Sequence, residues 1–224
     1  MNRPLSHLLA AALLSTATIA MGTEAGKPQQ QPVAAGSTAA ASPTGFLQAH
    51  DRAAQEILAQ TAADTLTPEY REKMRAHIFS AFDFDKLSRL SLGNHWEGRT
   101  TEERANFVRL STRLVEEQNL DTFVSYYRRG DTRYEGQLVD GNNATVTATV
   151  PLAKGDQIEI TYRLHRPPDG PWLVYDLAVD GASTADGNRR RYARYIKKRS
   201  YEALIEQLQR QLDKLVGGPT ETTD

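Results

Sequence analysis

Apolar residues recur at helical spacing from Phe46 through Ala49, Ala53, Ile57 and Leu58, which predicts a first helix. Thr67-Pro68 opens a second: the threonine can cap it, and proline at the first helical position loses no hydrogen bond. Tyr70, Met74, His77 and Ile78 mark its inner face. A short third helix is predicted from Phe84 to about Leu92. Asp83 is its N-cap, Asp85 complements the helix dipole, Phe82 and Leu87 form a hydrophobic staple, and Gly93 is the stop. Thr100 and Glu103 have capping-box spacing ahead of a long stripe. Its first half is Phe107, Leu110, Leu114 and Val115; its second is Leu120, Phe123, Val124 and Tyr127. The polar stretch 116–119 between them predicts a bend or an offset.

The period then shortens to two. TRYEGQLV, ATVTATVP, QIEITYRLH and WLVYDLAV read as strands, separated by the turn sequences DGNN, LAKGD and PPDG. Short turns between successive strands imply an antiparallel meander with one apolar face. Helix returns over 189–216, where Ser200 caps a last segment striped by Leu204, Ile205, Leu208, Leu212 and Leu215 and stopped by Gly217. The expected fold is α+β: a curved antiparallel sheet of about four strands, covered by N- and C-terminal helices.

The N-terminus differs. Arg3, the apolar run LLAAALLSTATIA and the small residues after it have the layout of a secretory signal peptide, assigned to 1–25. Cleavage after Ala17, Ala20, Gly22 or Ala25 is compatible with it, and an uncleaved anchor is the alternative. Residues 26–45, rich in Pro, Gln, Ala, Ser and Gly, read as a flexible linker. The folded domain is expected over 46–216, with a tail at 217–224.

Of the 224 residues, 39% are hydrophobic and 25% charged, and the net charge is −1, which disfavours nucleic acid as a partner. There is no cysteine. That excludes a disulfide, a thiolate nucleophile or metal site, and a lipid-modified cysteine. His7, His50, His77, His95 and His165 show no metal-binding spacing, and no P-loop, GxSxG or GxGxxG occurs. Neither a metal nor a cofactor is expected. Asp176, inside a strand, is the best lone acid–base candidate, although a strand aspartate also serves as a structural acceptor. RRRYARYIKKR at 189–199 has seven basic residues in eleven. It reads either as a solvated helix face or as a docking surface for an acidic partner or anionic headgroups, with Arg190, Arg191, Arg194, Lys197 and Lys198 as contacts.

FDFDKLSRLSLGNHW (82–96), TTEERANFVR (100–109) and WLVYDLAVDGAS (172–183) resemble the MlaC, or toluene-tolerance, family of periplasmic phospholipid carriers. The matching positions are Phe82-Asp83, Leu92-Gly93 through Trp96, and Tyr175-Asp176 through Ser183. Asp180 stands where the family often has glutamate, and His95 where it often has an aromatic. The resemblance implies a nuclear-transport-factor-like fold with an apolar cavity for acyl chains. It also implies a monomeric shuttle between an outer-membrane lipoprotein complex and an inner-membrane ABC transporter complex. Such a shuttle touches the membrane surface transiently and maintains outer-membrane lipid asymmetry, with phospholipid as cargo. Cavity walls are expected from Leu87, Leu90, Trp96, Phe107, Leu110, Leu114, Phe123 and Tyr127 on helices. Val146, Ala148, Val150, Ile158, Ile160, Tyr162 and Leu164 would face them from the sheet. Alternatives are a hopanoid-associated carrier of the same family, or an isomerase- or dehydratase-type pocket enzyme using Asp176.

Overall fold

The computed structural model describes residues 42–61, 67–151 and 156–217, in which six α-helices accompany a five-stranded sheet. The stretch expected to be a signal peptide, the expected linker up to residue 41 and the expected tail from residue 218 lie outside the described residues.

Helix α1, Pro43–Ala59, starts earlier than the apolar spacing indicates, because Ser42 caps it and Pro43 occupies its first turn. Thr44 donates from its amide and its hydroxyl to Gln137 Oε1, at 3.1 and 2.8 Å, fixing that start to the sheet. Helix α2, Pro68–Ser80, has the expected Thr67 cap. Helix α3, Phe84–Leu92, is capped by Asp83, whose Oδ1 accepts from Lys86 N at 2.8 Å, and stops at Gly93 with φ +57°. The other Asp83 oxygen meets His165 Nε2 at 2.7 Å, so one side chain both starts the helix and ties it to the sheet.

Helix α4, Thr101–Arg129, carries the complete Thr100/Glu103 capping box. It runs unbroken where a bend was expected. Glu116 and Glu117 instead face Arg75 of α2 and Arg113, with Arg113 Nη2 2.8 Å from Glu117 Oε1 and Arg75 Nη1 3.2 Å from it. The polar stretch marks the point where α4 passes from one hydrophobic core to another.

The sheet is an antiparallel meander, β1 (Arg133–Asp140), β2 (Asn143–Pro151), β3 (Gln157–His165), β4 (Leu173–Val179) and the two-residue β5 (Ala182–Ser183), paired in chain order. Cross-strand partners Ala144–Leu164, Val146–Tyr162, Ala148–Ile160 and Val150–Ile158 share the inner face, as alternation requires. Irregularities between Tyr134 and Gly136, and between Arg163 and Leu164, add curvature. Helix α5, Thr184–Lys198, begins five residues before the expected segment, and α6, Tyr201–Val216, follows from the Ser200 cap.

Two cores result. The sheet, α1, α2 and the second half of α4 enclose one, with Met74, Ile78, Leu120, Val146 and Val174 at its centre. The first half of α4 packs with Leu92, Tyr192, Tyr201, Leu204, Leu208 and Leu212 in the other, which is wholly helical. Removing Glu117 takes from the buried Arg75 one of its three carboxylate partners, with Glu72 and Glu116 remaining. Glu117→Ala is expected to cost about 1.5–3 kcal/mol in chemical denaturation. Glu97→Ala, at the exposed pair with Arg89, is expected to cost less than about 1 kcal/mol.

Candidate functional site

The larger interior cavity, about 100 Å³, lies on the seam between the two cores. Phe82, Phe84, Val115, Phe123 and Leu177 reach it from the sheet-side core, and Leu114, Tyr192 and Leu208 from the helical core. Its rim is polar: Gln118 and Gln211 are exposed, and Asn188 and Arg191 are half-buried. Arg191 donates to Asn188 Oδ1 at 3.0 Å and to the Tyr192 hydroxyl at 3.2 Å, which folds it over the rim. A strip of three serines, Ser88, Ser91 and Ser111, crosses the inner wall.

A second void of about 20 Å³ lies under α1, between it, α4 and the sheet. Phe82, Phe123 and Leu177 line both spaces and so form the partition between them. Phe82 and Phe123 pack edge-on at 6.1 Å, and each also meets Phe79. The backbone at Phe82 is fixed by Asp83 N donating to Val174 O and Val174 N to Ala81 O, both at 2.8 Å.

The floor of the second void is polar. Tyr134 donates to Asp51 Oδ2 at 2.6 Å, and burial pushes the Asp51 carboxyl up to about 6. Burial also drives the hydroxyls of Tyr127, Tyr134 and Tyr162 above the ordinary tyrosine range. His50 stacks on His77 at 4.1 Å, and burial, with the His77 charge second, lowers it to about 4.

Asp176 borders the larger cavity but is 1% exposed and fully engaged. Oδ1 accepts from Ala185 N at 2.9 Å, and Oδ2 from the Ser183 hydroxyl at 2.6 Å and Arg163 Nη1 at 3.2 Å. A pocket base needs a carboxylate free to take a substrate proton, and the geometry here makes it a connector instead. No grouping of His, Asp and Glu suited to a metal ion occurs among the described residues.

The family model described as MlaC protein matches residues 48–210. The chain belongs to the MlaC family. No curated protein sequence matches it. Among solved structures it resembles a phospholipid-binding protein from Ralstonia solanacearum, determined in complex with a phospholipid. Identity is 21%, the match covers 75% of this chain and 97% of that one, and the TM-score is 0.58, which establishes the shared fold.

Within this MlaC-family fold the residues expected to form cavity walls divide into groups. Leu87, Leu114 and Phe123 line the larger cavity; Phe123, Tyr127, Val150, Ile160 and Tyr162 line the smaller. Val146, Ala148, Ile158 and Leu164 are buried in the sheet. Phe107 and Leu110 sit in the helical core, with Trp96 packed at its margin. Leu90 is half-buried and lines neither space. Of the basic helix, Arg190, Arg194, Lys197 and Lys198 are exposed, whereas Arg191 turns to the cavity rim. The serines and Leu177 carried no signal as wall residues. Ser88 and Ser91 are three apart on a helix whose leucines dominate the pattern, and Leu177 reads as ordinary strand.

The paired shifts of Asp51 and His50 act oppositely on stability. Unfolded Asp51 ionises near 3.8 and folded Asp51 near 6, so between those values the folded state holds a proton the unfolded chain has lost. Stability from this group is therefore greatest below about pH 4 and declines as pH rises to 6. Unfolded His50 takes up a proton near 6.5 that the folded state refuses until about 4, so its contribution is lost as pH falls through that range. Asp51→Asn removes the first slope while keeping an acceptor for Tyr134. Relative to the parent, the variant is expected to gain on the order of 2–3 kcal/mol between pH 4 and 7, measured by denaturant unfolding.

Proposed function

We propose that the protein is a soluble periplasmic phospholipid carrier, moving lipid between an outer-membrane lipoprotein complex and an inner-membrane ABC transporter complex. The observation that carries this reading is the apolar cavity at the seam of two cores, with a polar rim. The phospholipid seen in the Ralstonia protein of the same fold supports it. Among the described residues no helix is long and apolar enough to cross a membrane.

The energetics set what the cavity must do. Each buried methylene is worth about 0.8 kcal/mol, so an ordinary acyl chain leaving a bilayer needs on the order of 12 kcal/mol of apolar wall. The cavity of about 100 Å³ is smaller than the ~150 Å³ apolar cavity that admits one benzene ring. Loading therefore widens it, by moving the Phe82–Phe123 partition and the Leu114, Tyr192 and Leu208 side chains opposite it, while Asp83 and Asp176 keep the starts of α3 and α5 on the sheet.

The exposed cations of α5 run from Arg190, next to the rim residue Arg191, to Lys198 about two turns beyond it, so a membrane complex bound there would face the cavity mouth. Native mass spectrometry of the purified mature protein, with lipid extraction, is expected to find stoichiometric phospholipid. Absence of any lipid would remove the reading's main support. Charge reversal at Arg190, Arg194 and Lys198 is expected to slow lipid delivery to membrane complexes while bound lipid stays at the parent level. Unchanged delivery would refute the docking role.

A further inference from the structure

Ser91 lies in the last turn of α3, 2% exposed, on the wall of the larger cavity. Its hydroxyl is buried and has no hydrogen-bond partner among the described residues. Its neighbours on the wall are satisfied. Ser111 donates to the carbonyl of Phe107 at 2.8 Å, which leaves Ser88 to donate to Ser111 across 2.8 Å. A helical serine ordinarily turns its hydroxyl back to a carbonyl three or four residues earlier, as Ser111 does. Ser91 forgoes that bond.

A buried hydroxyl left unpaired is unfavourable, and a void large enough for solvent can hold a water against it. Once cargo fills the void, that water is displaced. Of the cavity's lining, Leu87, Leu114, Phe123 and Leu177 have no acceptor to offer, the oxygens of Asp176 and Asn188 are already engaged, and Gln118 and Gln211 stand at the exposed rim, which leaves the acceptor for the hydroxyl to the cargo. A hydrocarbon chain has no acceptor. An acyl ester has one, its carbonyl oxygen, at the junction between chain and glycerol, just below a headgroup held at a polar rim.

We propose that Ser91 donates a hydrogen bond to an ester carbonyl of the bound glycerolipid, with the Ser88–Ser111 pair fixing the wall beside it. The site thereby selects ester-linked over ether-linked lipid. This rests on the phospholipid-carrier reading and specifies the chemistry that its cavity recognises.

The test uses the delipidated mature protein and two probes, diester phosphatidylglycerol and its diether analogue with the same chains, in native mass-spectrometric competition. The parent is expected to prefer the diester by roughly 5- to 10-fold, the loss associated with one neutral hydrogen bond. Ser91→Ala is expected to bind both probes equally, its diester affinity falling by that factor and its diether affinity unchanged. Ser91→Thr, which keeps the hydroxyl, should retain the preference. The melting temperature of unloaded Ser91→Ala should equal or exceed the parent's, because the substitution removes an unpaired polar group. Equal binding of both probes by the parent, or a preference that survives in Ser91→Ala, overturns the assignment. A parent that binds neither probe overturns the carrier reading itself, a result distinct from loss of discrimination.

Discussion

The buried carboxylate of Asp176 is the joint on which the arrangement depends. It sits on β4 and collects three donors: the hydroxyl of Ser183, the amide of Ala185 and the guanidinium of Arg163. One of those donors is the N-cap of α5 and another lies in its first turn, so the charge also meets the positive end of that helix. Position follows from this anchor. With its N-terminus fixed to the sheet, α5 lies along α3, brings Tyr192 into the helical core and sets Arg191 over the cavity rim. Gly93 takes its left-handed turn against the same helix, and a Cβ there would stand 2.9 Å from the Arg189 side chain.

That joint also explains one boundary that local pattern did not reveal. Thr184 to Asn188 reads TADGN, a poor helix former by propensity, and the basic run that follows looks like the natural start. The helix nonetheless begins at Thr184, because the Ser183 cap and the Asp176 acceptor satisfy its first amides. The start of α1 was obscured differently, since Ser42-Pro43 lies in a stretch whose composition resembles linker. By contrast, α3 was legible to the residue, with every device that defines it lying within twelve positions of sequence.

The strand faces were equally legible, because alternation over β2 and β3 determines which side chains share a face. What alternation cannot supply is depth. Ile160 and Leu164 lie on one face of one strand, yet the first borders a void and the second is packed solid, a distinction made by the helix above. The polar interruption in α4 was visible as a pattern and misleading as geometry. Glu116 and Glu117 compensate arginines, Asn119 donates to the carbonyl of Val115, and the helix continues. Serines on a cavity wall carry still less signal, since hydroxyls are as common on solvated faces.

The division of α4 between two cores has a mechanical consequence. A hollow cut into a single core leaves unsupported side chains around it, and the surroundings tend to collapse or to lose cohesion. Here the hollow coincides with a boundary that exists already. Each block keeps its own interdigitated interior, and one continuous helix of 29 residues passes through both like a shared axle. Separation along such a boundary changes the fit between two finished surfaces and leaves the contacts inside each block intact. The work of admitting or releasing an occupant is then set by the few side chains at the joint, and the fold itself can stay firm while its interior volume varies.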